Sequence, residues 1–348
     1  MTPATHSETT APTAQLTALI TGAGISTADR TGWIRVTGED RVRWLNGMVT
    51  NSIQDLQPGD GCYNFFLSVQ GRIQGDAYIF AEPDSLVIET ASAKLPTLIP
   101  LLDHFIIMDD VELTDTTGTQ SGLLISGPRA ASLLQQIGLP IGPLSELKRQ
   151  KLFWNSAEIT AIHAYSPLIP HFELWADADT IANLSKALLE AGATTCDEQS
   201  RDLLRVLEGT PLYGTDIRDR ELPQETAQTR ALHFAKGCYV GQEIVERIRS
   251  RGNVHRVFHG FRLEGNLPGP GANLEADGKQ VGELTSIGAI PLAETNTLQL
   301  ALGYVRREAL DRATPLSYPG GVATPISLPF STVEALKLQT ASEPSERA

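Results

Sequence analysis

Residues 236–243 read Lys-Gly-Cys-Tyr-Val-Gly-Gln-Glu, and this octapeptide places one cysteine between two glycines and close behind a lysine. Gly237 and Gly241 allow the backbone to turn sharply and leave its amide groups uncovered. An amphipathic helix is predicted to begin near Gly241, so that its positive N-terminal end points at Cys238. Together with the charge of Lys236, this predicts a lowered thiol pKa and a reactive thiolate. The alternative is a small buried cysteine in a tight turn, because free cysteine is among the most buried residue types.

A group of basic residues follows Cys238 closely, although the chain as a whole is acidic. They are Arg247, Arg249, Arg251, His255 and Arg256. Guanidinium groups bind carboxylate and phosphate oxygens in forked pairs, so this segment predicts a cradle for an anion. The alternative is a solvated helix face on which Glu246 pairs with the arginines.

The overall charge argues against a protein whose whole surface binds nucleic acid. The chain has 348 residues, with 28 Lys and Arg against 41 Asp and Glu, and a net charge of −13. Most of such a surface would repel a polyanion, which leaves room only for a local basic patch. This length is sufficient for two or three domains, each with its own core.

The cysteines favour a reducing compartment and argue against a resident metal centre. Cys62, Cys196 and Cys238 are far apart in sequence, odd in number and form no C-x-x-C pair. A zinc or iron–sulfur site normally takes four protein ligands, so no permanently bound metal is expected. No run of about 18 apolar residues predicts a membrane span, and residues 1–15 resemble neither a signal peptide nor a transit peptide. A cytoplasmic protein is therefore predicted.

The order of the predicted elements indicates an α+β body followed by a small β-barrel. Strands and helices alternate twice along residues 17–257, beginning with a strand over 17–36, which predicts two related α+β lobes. In residues 258–332 short apolar strands recur among frequent glycines and prolines, as in a small barrel. Residues 1–16 and 333–348 are predicted to be flexible tails.

The octapeptide resembles the signature of the YgfZ proteins, also called folate-binding or tRNA-modifying proteins. Their mitochondrial relatives are iron–sulfur cluster assembly factors, and their superfamily is that of the glycine-cleavage T-protein, an aminomethyltransferase. Other segments spread over nearly the whole chain are similar to further blocks of this family. They are residues 36–40, 45–47, 50–51, 71–72 with Asp76, Gly209, Pro211, Val245, Arg247, 251–252, 282–286 and 303–306.

The resemblance implies a T-protein-like fold, with two interleaved α+β lobes around a central folate-shaped cavity and a C-terminal β-barrel. It implies that Cys238 is the working group, with Lys236 beside it, and that tetrahydrofolate is a candidate ligand. The residues that would bind such a cofactor are Glu208, Arg247, Arg249, Arg251, Gln242, Glu243, Arg72 and Asp76.

One departure from the T-proteins concerns the acid that holds the pterin ring. In T-proteins a glutamate lies two positions before the glycine that ends a helix, whereas here that position is Leu207 and the acid is Glu208. A step of one residue rotates a side chain by about 100° around a helix, enough to turn it off a cavity wall. This departure counts against tetrahydrofolate and favours an assembly factor.

Two functions therefore remain in view, and a third is disfavoured. The first is a factor that assembles or repairs iron–sulfur enzymes, including those that thiolate tRNA, with Cys238 as a transient cluster ligand shared with a scaffold or client protein. The second is a tetrahydrofolate-dependent aminomethyl or one-carbon transferase, which would need a catalytic acid near the substrate amine. Direct binding of tRNA is disfavoured by the net charge of −13 and by the absence of an aromatic stacking platform.

Overall fold

The computed structural model describes residues 12–252, 254–293 and 296–330. The helices are α1 (Pro12–Thr21), α2 (Arg41–Asn46), α3 (Leu95–Asp103), α4 (Ala130–Gln136), α5 (Ala178–Glu190), α6 (Glu198–Glu208), α7 (Gln242–Arg251) and α8 (Arg307–Asp311). The first strands are β1 (Gly24–Thr27), β2 (Thr31–Thr37), β3 (Gly61–Leu67), β4 (Ile73–Ala81), β5 (Leu86–Ala91) and β6 (Glu112–Asp115). They are followed by β7 (Ser121–Ser126), β8 (Arg149–Trp154), β9 (Ala157–His163), β10 (His171–Ala176) and β11 (Thr194–Thr195). The last are β12 (Arg256–Gly265), β13 (Asn273–Ala276), β14 (Lys279–Ala293), β15 (Asn296–Arg306), β16 (Leu316–Tyr318) and β17 (Gly321–Ile326).

The first lobe is a five-stranded sheet in the order β3-β4-β5-β2-β6. Its β3–β4 hairpin turns at Gly71, whose φ of +72° suits glycine and whose added Cβ would meet Ile244 of α7 at 2.7 Å. Apolar residues on one face of the sheet, such as Ile34 and Ile79, pack with Leu98 of α3 in a buried core. Because residues alternate between faces along a strand, polar residues of β4 are left to point the other way.

The second lobe is a six-stranded sheet in the order β11-β1-β7-β10-β9-β8, covered by α4 and α5. Helix α5 begins at Asp177, whose side chain accepts a hydrogen bond from the Thr180 amide at 2.9 Å and so caps the helix. Leu133 of α4 and Leu184 of α5 are buried against Leu174 of the sheet. This apolar layer fixes which face of the sheet looks toward the first lobe.

The two lobes are interleaved in the chain. Strand β1 belongs to the second lobe, β2 to β6 form the first, and the chain returns to the second lobe with β7. The inner faces of the two sheets meet through a buried cluster in which Trp33 and Trp175 pack edge to face with ring centres 5.0 Å apart. Side chains from different parts of the sequence therefore converge between the sheets.

The C-terminal part is a closed barrel in the order β12-β15-β14-β13-β16-β17. Helix α6 joins the body to this barrel, because its buried residues Leu203 and Leu207 share a cluster with Leu300 and Leu302 of β15. The helix begins at Asp197, which accepts from the Ser200 amide at 2.8 Å. It ends at Gly209, which has a left-handed φ of +69°.

The structure confirms the α+β class, the two interleaved lobes and the C-terminal barrel. It corrects the sequence prediction at the N-terminus: α1 begins at Pro12, and Leu16 and Leu19 are buried against α6, so residues 12–21 are helical rather than tail and strand. The tail predicted at 333–348 lies outside the described residues. No helix in the described ranges is both long and apolar enough to cross a membrane.

Candidate functional site

Cys238 lies on an exposed loop that leads directly into α7. The loop closes at Gly241, which has a φ of +81°, and an added Cβ there would lie 2.6 Å from the carbonyl oxygen of Ser68. Only glycine adopts this conformation without strain or collision. The Val240 amide donates to the Gly47 carbonyl at 3.0 Å, which ties the loop to the first lobe. The predicted helix entry behind Cys238 is therefore confirmed, and its residues are those of the octapeptide.

Lys236 fastens this loop to the backbone of the first lobe. Its Nζ donates to the carbonyl oxygens of Asn46 and Val49 at 2.7 Å and of Asn51 at 2.6 Å. Burial lowers the pKa of Lys236 to about 8, and the nearby Cys62 opposes this shift. Three carbonyl partners use the three protons of an ammonium group. The structure thus gives Lys236 an anchoring role, and its predicted effect on the Cys238 thiol stays a prediction.

The three cysteines differ sharply in their surroundings. Cys238 is exposed, Cys62 is partly buried and Cys196 is buried, and none of them forms a disulfide. Burial raises the pKa of both Cys62 and Cys196 to about 11. With this pKa the two thiols remain protonated at neutral pH. Because the thiolate is the nucleophile and metal ligand, Cys62 and Cys196 are unreactive. Cys238 is therefore the thiol that a partner molecule can reach.

The arginines of α7 form ion pairs along their own helix. Arg247 pairs with Glu243 at 2.6 Å, and Arg249 pairs with Glu246 at 3.4 Å and donates to the Phe234 carbonyl at 3.0 Å. Arg247 and Arg249 are about half exposed, which matches the alternative of a solvated helix face. The side chain of Arg251 lies outside the described residues. Binding of an anion by this segment stays a prediction.

Gln242 stands at the start of α7 and stays close to the octapeptide backbone. Its Oε1 accepts a hydrogen bond from the Tyr239 amide at 3.4 Å. Glu243, the next residue, lies in the first turn of the helix, where a negative charge is favourable. Both residues therefore have a local structural role at the helix entry, and their predicted contact with a cofactor stays a prediction.

A second group of polar residues converges between the lobes, around Arg230. The guanidinium carbon of Arg230 lies 3.6 Å from the ring centre of Tyr165, 4.1 Å from that of Tyr63 and 5.6 Å from that of Tyr78. One of its nitrogens, Nη2, donates to the Tyr78 hydroxyl at 3.2 Å, while the buried Nη1 has no hydrogen-bond partner among the described residues. This arrangement offers a fixed positive charge and an unused donor.

Asp76 lies in the same cluster, on β4. It accepts a hydrogen bond from the Tyr63 hydroxyl at 2.6 Å, and burial raises its pKa although Arg230 acts in the opposite direction. The family resemblance points to Asp76 but not to Arg230, Tyr63, Tyr78 or Tyr165. A carboxyl held between a phenol and a guanidinium can exchange a proton with a ligand, which is the property of a general acid or base.

Glu208 reaches the edge of this cluster. Its carboxylate accepts a hydrogen bond from the Ser166 hydroxyl, and its charge acts on the neighbouring Tyr165. Burial raises the pKa of Glu208 to about 7. The segment after β9 places Tyr165 and Ser166 beside this carboxylate. The predicted rotation of Glu208 off the cavity wall stays a prediction. Leu207 itself is fully buried against the barrel.

Arg72 lies on the wall of a separate cleft between the body and the barrel. This cleft has a volume of about 840 Å³ and is also lined by Arg220, Arg256 and Glu283. Arg72 Nη1 donates to the Arg220 carbonyl at 2.5 Å. The structure therefore places Arg72 and Asp76, which are neighbours in sequence, in different surroundings. Within the described ranges no three His, Cys, Asp or Glu side chains are grouped so that they could hold a metal ion.

A family model for the GCVT N-terminal domain matches residues 5–236 of this chain. The chain belongs to this family. An aminomethyltransferase of Rippkaea orientalis is 27% identical over 317 residues, which are 86% of this chain and 82% of that protein. An aminomethyltransferase of Geobacillus kaustophilus is 28% identical over 315 residues, which are 87% of this chain and 85% of that protein.

Two further comparisons bear on length and on fold. A chloroplastic protein of Arabidopsis thaliana, whose name describes it as a transferase, is 24% identical over 287 residues, and the match covers 80% of this chain and 64% of that protein. The chain thus spans less than two thirds of that relative. The crystal structure of the glycine cleavage system aminomethyltransferase T from Bartonella henselae superposes with a TM-score of 0.81 at 20% identity, covering 92% of this chain and 89% of that one. The chain therefore has the aminomethyltransferase fold.

Proposed function

We propose that this protein is a YgfZ-like factor of the cytoplasm that supports the assembly or repair of iron–sulfur enzymes, including enzymes that thiolate tRNA. The observation that carries the proposal is the exposure of Cys238 on a loop that Lys236 fixes to the first lobe. Burial raises the thiol pKa of the other two cysteines and so makes them unreactive. A family fold with one accessible thiol on a fixed loop suits transient exchange with a partner protein.

Cys238 acts in this proposal as a temporary ligand. The thiol gives its proton to water, and the thiolate sulfur replaces one partner thiolate on one iron atom of a cluster whose other ligands come from a scaffold or client protein; the displaced thiolate takes up a proton from water. One thiolate cannot hold a cluster by itself, so the cluster leaves with the partner protein when the complex dissociates. Phe234, four residues before Cys238, and Arg249, whose guanidinium carbon lies 5.0 Å from the centre of its ring, would offer the partner an apolar and a cationic group on the same segment.

The cluster around Arg230 fits a folate-like molecule, because it combines an unused buried donor with three tyrosine rings. Arg230 would hold a carbonyl or carboxylate oxygen of such a ligand, while Asp76 and Glu208 would bind its N–H groups. Tetrahydrofolate supplies carriage of one-carbon units when it is bound. The residues of this chain would orient it, and burial, which raises the Asp76 pKa, would make this carboxyl group a better proton carrier than an exposed one.

The second candidate function is a tetrahydrofolate-dependent aminomethyl or one-carbon transferase. Two observations favour it: the relatives named aminomethyltransferase, and the buried Asp76 next to Arg230 and Tyr63. The transfer would use Asp76 to exchange a proton with the substrate amine. In this case Cys238 would be dispensable.

Complementation in a strain lacking the gene tests the first proposal. We expect Cys238→Ser to fold normally and to lose the activity of iron–sulfur enzymes, whereas the matched variant Cys196→Ser restores it. Cys196 is a suitable control because it is a buried thiol in α1–α6 packing. Full restoration by Cys238→Ser would refute the proposed role of the thiol.

Calorimetry with tetrahydrofolate separates the two candidates. A transferase should bind tetrahydrofolate at sub-millimolar concentration and lose this binding in Arg230→Met, while Cys238→Ser keeps it. Absence of heat with the parent protein would eliminate the transferase and leave the assembly factor intact. Binding together with full function of Cys238→Ser would establish the transferase instead.

A further inference from the structure

Two adjacent apolar side chains on the first lobe project into solvent. Ile107 and Met108, on the loop between α3 and β6, are 83% and 93% exposed, the two highest values among the large apolar side chains of the described residues. Single exposed apolar residues are ordinary on a protein surface. Two neighbours that both project almost completely have the form of an anchor that fills a recess in another molecule. We call this pair the apolar knob.

The backbone that carries the apolar knob is fixed on both sides by α2 and the residue before it. Ahead of the knob, the Phe105 carbonyl accepts a hydrogen bond from Trp44 Nε1 at 3.2 Å. Behind it, the Asp110 amide donates to the Asp40 carboxylate at 3.0 Å, and the Asp40 amide donates to the Asp110 carbonyl at 3.2 Å. A group that is already held in place loses little conformational entropy when it binds. The knob is therefore preorganised for contact.

The surroundings of the apolar knob are strongly acidic. The charged residues of 103–115 and of the segment packed against it, 39–46, are Glu39, Asp40, Asp103, Asp109, Asp110, Glu112 and Asp115, with Arg41 and Arg43. Seven acids and two arginines leave a net charge of −5 here, against −13 for the whole chain. Arg43 pairs with both Asp40 and Asp109, at 2.9 and 2.6 Å, and the other five acids form no ion pair within the described ranges. The knob thus has an acidic rim with spare negative charge.

The fold does not require the charges of this rim. Asp103 is exposed and is the last residue of α3, where a negative charge is unfavourable to a helix. Glu112 and Asp115 lie on β6, the edge strand of the first sheet. Acids on an edge strand discourage it from pairing with a strand of another molecule. A contact at this surface is therefore made by side chains and not by strand addition.

The sign of the charge decides which class of partner fits the knob. Anionic membranes and nucleic acids attract basic surfaces, so both would be repelled by the acidic rim. A second copy of this chain carries a net charge of −13 and would be repelled as well. A basic protein surface with an apolar recess has the complementary charge and shape, since its cations would meet the rim while the recess takes up the knob.

We propose that the apolar knob and its acidic rim form the docking surface for a partner protein whose contact face has an apolar recess surrounded by lysines or arginines. The C-terminal end of α2 also holds the Cys238 loop, because the Asn46 and Gly47 carbonyls accept from Lys236 Nζ and from the Val240 amide. A partner docked at the knob would therefore lie on the part of the first lobe that carries Cys238. Docking does not depend on what Cys238 does, so it is tested apart from the proposed function.

Fluorescence anisotropy with the full chain and a labelled amphipathic peptide of leucine and lysine tests this inference. Such a peptide offers an apolar face flanked by positive charge, and peptides with glutamate in place of lysine or serine in place of leucine are the matched probes. We expect saturable binding of the leucine–lysine peptide and none of the other two. The double variant Ile107→Ser, Met108→Ser should weaken this binding about tenfold, because two apolar side chains no longer leave water. Phe153→Ser is the control and should bind like the parent, since Phe153 is 69% exposed on β8 of the second lobe.

A second pair of variants tests the rim separately from the knob. Asp103→Asn with Glu112→Gln should weaken peptide binding about threefold at low ionic strength and make it less sensitive to salt. Glu190→Gln with Glu264→Gln removes the same charge from exposed positions elsewhere and should leave binding unchanged. All of these side chains are exposed, so every variant should keep the melting temperature of the parent.

Five results would each overturn the inference. Three concern the peptides: no saturable binding, equal binding of the leucine–glutamate peptide, or unchanged affinity in both the knob and the rim variants. Sedimentation in which the parent self-associates and the knob variant does not would assign the surface to a second copy instead. Binding of the parent but not of the knob variant to phosphatidylglycerol vesicles would assign it to a membrane.

Discussion

The ammonium nitrogen of Lys236 lies 2.6 Å from the carbonyl oxygen of Asn51, a residue 185 positions earlier in the chain. The same nitrogen lies 2.7 Å from two further carbonyl oxygens, those of Asn46 and Val49. The segment that carries the exposed Cys238 is therefore held in place by the first lobe. The sequence singles out Lys236 for its charge, but its clearest role in the structure is to anchor the segment that carries Cys238.

Replacement of Lys236 by methionine should destabilise the protein, because three carbonyl acceptors would lose their donor. We expect the free energy of unfolding to fall by about 2–4 kcal/mol, since each unsatisfied acceptor costs about 1–3 kcal/mol and neighbouring losses do not add fully. Urea denaturation measures this difference. Lys186→Met is the matched control, because the Lys186 side chain is 76% exposed and its ion pair with Glu190 is 4.0 Å long. Equal destabilisation by both variants would contradict the anchoring role.

Thiol labelling should distinguish the three cysteines in the folded protein. At pH 8 a thiol with a pKa of about 11, as for Cys62 and Cys196, is ~0.1% thiolate, and burial hinders the reagent further. We therefore expect an aromatic disulfide reagent to label one thiol rapidly, and Cys238→Ser to label none on that timescale. The same proteins in denaturant should release three and two equivalents. Rapid labelling of folded Cys238→Ser would show that a second cysteine is accessible.

The sequence predicts the fold well where local pattern and tertiary packing agree. The helix that begins after Gly241 follows from its amphipathic pattern and from glycine placement. The strand predicted over residues 17–36 is helical up to Thr21, because Leu16 and Leu19 pack against α6, which lies far along the chain. Such a long-range contact leaves no trace in the local pattern.

The site was predicted only in part, for a related reason. The octapeptide carries its own signal, since its glycines, lysine and cysteine are adjacent. No sequence pattern predicts Arg230 as a site residue, because its partners Tyr63, Tyr78 and Tyr165 come from β3, β4 and the segment after β9. Only the interleaving of the two lobes brings them together. Glu208 was predicted from its place near Gly209, but its contact with Ser166 depends on the same long-range packing.

The raised pKa of Glu208 predicts a specific pH dependence of stability. Burial raises this pKa to about 7, above the value of 4.5 expected in the unfolded chain. The unfolded chain therefore releases the Glu208 proton over this window while the folded protein keeps it, so the contribution of Glu208 to stability falls as pH rises from 4.5 to 7. Glu208→Gln cannot ionise and still accepts the Ser166 hydrogen bond. At pH 8 it should exceed the parent in unfolding free energy by about 1–3 kcal/mol.

At pH 4 the advantage of Glu208→Gln should disappear, because the parent carboxyl group is then protonated in both states. Urea denaturation at the two pH values provides the comparison. Glu190→Gln is the control, since the Glu190 side chain is 69% exposed and should change stability little at either pH. A difference between Glu208→Gln and the parent that is the same at pH 4 and pH 8 would show that the folded protein does not raise this pKa.

Introduction of an acid at position 207 should unfold the junction of α6 and the barrel rather than create a pterin site. Leu207 is fully buried among Leu203, Leu300 and Leu302, and its carbonyl accepts from the Phe330 amide at 2.8 Å. Leu207→Glu removes about 2 kcal/mol of apolar burial and adds the desolvation of a carboxyl group, so we expect a loss of about 4 kcal/mol or more. Leu207→Met keeps the volume and should cost less than about 1.5 kcal/mol. Thermal unfolding ranks the two variants, and calorimetry with tetrahydrofolate should show no gain for Leu207→Glu. A stable Leu207→Glu variant that binds tetrahydrofolate more tightly than the parent would mean that this position faces the cavity after all.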